Sequence, residues 1–128
     1  RNCISNVSNL SQSLIYRALK YETFELEQKE KCEILKGRFQ RVKKLLESEK
    51  YSSPSSPFSH LPFNSGYFMC VEVKPELDAE KVRKTLLTKY DTGIIVMGNL
   101  IRIAYSSVAE RDIKPLFESI YDACKENM

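Results

Sequence analysis

Nowhere in these 128 residues does an apolar run approach the ~20 residues needed to cross a bilayer, and the opening residues lack the charged stretch and apolar core of a secretory leader. A membrane partner is therefore not expected, and the cytoplasm is the default compartment. Histidine occurs once, and the four cysteines, Cys3, Cys32, Cys70 and Cys124, stand far apart without a C-x-x-C pair. A metal site lacks its ligand spacing. The simplest state is four reduced thiols, with Cys32 and Cys124 on apolar helical faces. Charge of one sign is also scarce: the net charge of +3 is too mild to argue for nucleic acid.

What is present is an ordinary globular composition, 42% hydrophobic and 29% charged. A chain of this length buries roughly two thirds of its unfolded surface, enough for one core. Leu10, Leu14, Ile15, Ala18 and Leu19 recur at helical spacing and predict a first helix over 8–20. Cys32, Leu35, Phe39, Val42 and Leu46 form the apolar stripe of a longer helix over 22–50, with Gly37 inside it. Its basic residues alternate with glutamates, and Glu25 with Lys29 and Glu27 with Lys31 have the i,i+4 order of a solvated face. Residues 51–60 carry Ser-Ser-Pro-Ser-Ser-Pro and no periodicity, which predicts a mobile loop holding a solvent-exposed His60.

The second half alternates strand and helix. A strand is expected over 67–73, then a helix capped by Asp78 with Ala79, Val82, Leu86 and Leu87 inward. Strands over 93–97 and 100–106 flank Gly98-Asn99, a pair suited to a tight antiparallel hairpin. In the last helix Ile113, Leu116, Phe117, Ile120, Tyr121 and Cys124 make the buried stripe, and Pro115 fits its first turn if Asp112 is the N-cap. The fold class is α+β: a small, mainly antiparallel sheet of about three strands with helices on one face, preceded by a long helix. Residues 1–60 form a helical segment and loop leading into an α+β domain at 61–128.

The run Leu100-Ile101-Arg102-Ile103-Ala104-Tyr105 places one arginine inside an apolar strand. An arginine resists desolvation and cannot shed its proton, so an anion or water is expected opposite Arg102. Strand alternation puts Ile101, Ile103 and Tyr105 on a core face and Leu100, Arg102 and Ala104 on the other, the floor of a site. The competing reading is an ion-paired surface arginine.

Upstream, Asn64-Ser65-Gly66 leads into the aromatic strand Tyr67-Phe68-Met69-Cys70-Val71-Glu72-Val73. Together the two segments resemble the small, C-terminal domain of fold type I pyridoxal-phosphate aminotransferases. There, a glycine-aromatic-aromatic strand is followed by a helix, a short strand, and a hydrophobic-Arg-hydrophobic-small-aromatic-Ser strand. The opening Arg1-Asn2-Cys3-Ile4-Ser5-Asn6 is similar to that family's Arg-x-x-x-Ser-Asn segment. The resemblance implies that the chain is the C-terminal part of a larger homodimeric enzyme acting on amino acids and 2-oxo acids. Arg102 would hold the substrate α-carboxylate, and Arg1 would reach toward a distal carboxylate. Pyridoxal phosphate would be the parent enzyme's cofactor and would be bound by its large domain. No Ser-x-x-Lys-like segment, acidic partner for the pyridine nitrogen or glycine-rich phosphate cradle is found here, so no cofactor is expected on this chain, nor activity from it alone. The first helix and the segment from Phe58 to Phe63 are expected to expose apolar surface. The alternative to an enzyme domain is a free-standing α+β amino-acid-binding or regulatory module, and a nucleic-acid reader is disfavoured because 101–105 carries one basic residue.

Overall fold

Ser8 opens the described part of the chain, residues 8–128 of a computed structural model, and its hydroxyl accepts a bond from the Ser11 amide. That cap starts α1 (Asn9–Leu19), and α2 (Phe24–Leu46) follows a short turn. Arg1 and Cys3 lie outside the described residues. The chain falls into two compact units, residues 1–34 and 35–128. In the first, α1 buries none of its residues, and Leu10, Leu14, Ile15 and Leu19 stand exposed. Of the expected ion pairs, Glu27 instead accepts from the Thr23 hydroxyl at 2.9 Å, and Lys31 meets its neighbour Glu30. Cys32 is exposed rather than on a buried stripe.

In the second unit the long helix stops at Leu46 instead of near Lys50. Both the amide and the hydroxyl of Ser48 bond the Leu45 carbonyl, the local competition by which serine ends helices. A short helix, α3 (Glu49–Ser52), follows and buries Tyr51. The segment expected as a loop then forms an edge strand, β1 (Phe58–His60), with Ser56, Pro57 and Phe58 buried. Phe58 pairs with Val73 and belongs to the core, so the strand is created by its partner rather than by its own pattern.

The remaining elements are β2 (Met69–Val73), α4 (Ala79–Lys89), β3 (Ile95–Met97), β4 (Leu100–Ile103), a 3-10 turn at Tyr105–Ser107 and α5 (Glu110–Glu126). The fold is α+β, with four strands in the order β1-β2-β4-β3, all neighbours antiparallel. Asp78 caps α4 as expected, accepting from the amides of Glu80 and Lys81. Leu87, by contrast, is exposed. Gly98 has φ +64 and closes the hairpin in which Met97 faces Leu100, a backbone state open to glycine at no steric cost.

The last helix begins at Glu110 after Ala109, so Asp112 lies in its first turn and is not the N-cap. Its amide bonds the Ala109 carbonyl, and its negative charge complements the helix N-terminus. Pro115 consequently sits inside the helix rather than at its start. Val42 and Leu46 of α2, Val82 and Leu86 of α4, and Ile113, Phe117 and Ile120 of α5 pack with Val71, Ile101 and Ile103 on one face of the sheet. The sheet and its cover thus reach back to α2, ahead of residue 61. Ser59, Cys70, Glu72, Ile95, Met97 and Arg102 lie on the opposite face by strand alternation and register.

Candidate carboxylate-binding site

Arg102 lies on the inner strand β4, opposite Cys70 of β2 on one side and Ile95 of β3 on the other. Its neighbours Ile101 and Ile103 are buried in the core while Arg102 is half-buried on the uncovered face. No carboxylate among the described residues comes within ion-pair distance of it. Its Cζ lies 3.7 Å over the centre of the Phe68 ring. Phe68 precedes β2 by one residue and shares the face of Cys70, which makes it the diagonal neighbour of Arg102 across the strand pair.

Two grooves meet at this stack, and Arg102 and Phe68 line both. The first, about 450 Å³, runs along the β3 side between Gly93, Ile94, Ile95, Ala104 and Leu116. Asp91, with φ 47, and Thr92 complete its polar edge. The second, about 490 Å³, runs along the turn ahead of β2, between Leu61, Pro62, Phe63 and Cys70. Arg102 is therefore a cation in largely apolar surroundings, open to solvent from two sides. Such an arrangement can hold a carboxylate by charge-assisted bonds.

The turn that delivers Phe68 is tied down from beneath. Tyr105, which follows β4, is fully buried, and its hydroxyl donates toward the carbonyls of Asn64 at 2.9 Å and Gly66 at 2.5 Å. Burial pushes the Tyr105 phenol above its ordinary range. Within the turn the Gly66 amide donates to the Asn64 side chain at 3.0 Å, and a Cβ on Gly66 would meet that same oxygen at 2.9 Å. Phe63 packs edge-on against Tyr105 and against Phe39 of α2. Arg38 of α2 bonds the Ser106 carbonyl just beyond, and the Ser106 amide reaches the Tyr67 carbonyl at 3.4 Å.

Among the expected site residues, Arg102 has this setting and Arg1 lies outside the described residues. His60 is exposed, its ring edge-on to Phe63. Sequence reasoning missed Phe68 and the hydroxyl of Tyr105. The spacing of Phe68 and Cys70 carried a signal, since both fall on one strand face, but the register with β4 was needed to use it. Neither groove wall holds a lysine. Among the described residues no group of three histidine, cysteine, aspartate or glutamate side chains could hold a metal ion. In comparison with known proteins, the chain matches no family model and no curated protein.

Proposed function

We propose that this chain is the C-terminal small domain of a fold type I pyridoxal-phosphate aminotransferase and that Arg102 is its anchor for the substrate α-carboxylate. The observation that carries this reading is an arginine with no ion-pair partner among the described residues, set on the sheet face away from the core between two grooves, with an aromatic ring across it. A guanidinium in that state offers two parallel N–H donors to a carboxylate, a geometry that a lysine ammonium cannot reproduce. The cofactor and the proton-transferring groups belong to the large domain of the same enzyme, and a homodimer of that enzyme is the working form. This chain contributes the anchor and closes over the site. The substrates are amino acids and 2-oxo acids, and the setting is cytoplasmic.

The test is Arg102→Lys in the complete enzyme. Truncating one partner of a hydrogen-bonded charge pair costs roughly 2–5 kcal/mol, so kcat/KM is expected to fall from roughly 30-fold to several thousand-fold, with the thermal midpoint nearly unchanged. Unchanged efficiency across several amino acids would remove Arg102 from the role. The chain alone is expected to take up no stoichiometric pyridoxal phosphate, and a lysine-linked cofactor absorbance at micromolar concentration would contradict that.

A further inference from the structure

Phe68 is 48% exposed, an unusual position for a phenylalanine one residue ahead of a buried strand. The residue that follows, Met69, is in the core, so the chain could satisfy its packing without an aromatic ring on the open face. What the ring does there is cover Arg102. The guanidinium carbon lies over the ring, 3.7 Å from its centre, within cation–π distance. An ion pair would also hold the arginine, but it would occupy the N–H donors that a ligand needs. Contact with a ring face occupies none of them, because the donors lie in the guanidinium plane.

We infer that Phe68 is a positioning residue for Arg102: it holds the guanidinium plane for a carboxylate while leaving its donors free, and the Tyr105 hydroxyl holds Phe68 through the turn from Asn64 to Gly66. The inference rests on the carboxylate reading of Arg102. It explains why a buried tyrosine spends its hydroxyl on two backbone carbonyls of a turn rather than on one partner. It also accounts for the chain being bonded again at Tyr67, from the Ser106 amide. The chain leading into residue 68 is thereby held at Asn64, Gly66 and Tyr67, and the arginine loses less freedom when a carboxylate arrives. The expected contribution is roughly 2- to 10-fold in affinity, the scale of ordering one long side chain.

The experiment uses the 128-residue chain labelled with ¹⁵N, the arginine Nε–H signals being followed by NMR while sodium acetate replaces sodium chloride at constant ionic strength. Arg102→Lys identifies the Arg102 signal by its loss. In the parent chain this signal is expected to move saturably with acetate and to sit at a ring-shifted position. Phe68→Leu keeps an apolar side chain at an exposed site, so the thermal midpoint should stay, while acetate affinity drops roughly 2- to 10-fold. Phe68→Tyr should restore it, and Tyr105→Phe, which keeps the buried ring, should weaken binding in the same direction. Equal affinity in Phe68→Leu and the parent chain would overturn the positioning role while leaving Arg102 as the anchor. An Arg102 signal that responds to acetate no more than that of the exposed Arg111 would instead overturn the anchor reading, and the positioning role with it.

Discussion

The two faces of β4 place isoleucine and arginine one residue apart in opposite worlds. Ile101 and Ile103 are sealed beneath α2, α4 and α5, whereas Arg102 looks out from the same strand beside Phe68. The covered face is over-determined: residues from four helices and every strand meet there. The open face has one aromatic contact holding its cation. Stability is thus expected to reside on one side of the sheet and ligand recognition on the other, a separation that lets the site change without unfolding its support.

The harshest test of that separation is Ile101→Ala. Ile101 is fully buried, and such a truncation costs about 2–5 kcal/mol from lost burial and the cavity left behind. Chemical denaturation should show this loss, and a change under about 1 kcal/mol would mean that the covered face is far less tightly packed than the burial implies.

An intermediate effect is expected from alkali. Burial pushes the Cys124 thiol from 9.0 up to about 12, and burial, aided by the Glu118 and Asp122 charges, pushes the Tyr51 phenol from 10.0 up to about 12. Between those limits the folded chain keeps protons that the unfolded chain has released, so stability falls as pH rises. Thermal melts should hold steady up to about pH 8.5, then decline through pH 12, and Cys124→Ala should delay the onset. A midpoint independent of pH over that range would contradict the burial of both groups.

The smallest expected effect is that of Arg102→Leu on stability, within about 0.5 kcal/mol, because among the described residues the substitution removes no ion pair and leaves the covered face intact. A melt lowered by several degrees would show that the open face supports the fold after all and would blur the two roles.

How far the sequence led can be judged element by element. The alternation of Ile101, Arg102 and Ile103, the Gly98-Asn99 hairpin and the Asp78 cap were legible because each depends on a local rule: a two-residue period, a positive φ, a side chain reaching two amides. β1 was not legible, because a three-residue strand has no period and owes its existence to Val73 and its neighbours. The break after Leu46 was missed because serine ends the helix there, and serine is tolerated inside helices elsewhere. The N-terminus of α5 was misplaced because Ala109 supplies no side-chain cap. At the site, Arg102 announced itself by being charged in an apolar run. Its partner Phe68 could be recognised only through the pairing of β2 with β4, which no local pattern encodes.

That pairing also sets when the site comes into being. The β3–β4 hairpin closes across two residues, and α4 is a local helix with its own cap, so both are quick to form. β2 reaches β4 only by closing a loop that contains α4 and β3, and the entropy of such closure delays it. During the interval the chain holds an arginine on a finished hairpin with no ring to orient it. On the proposed reading of Arg102, carboxylate affinity arrives with the docking of β2 on β4 and not with the hairpin alone.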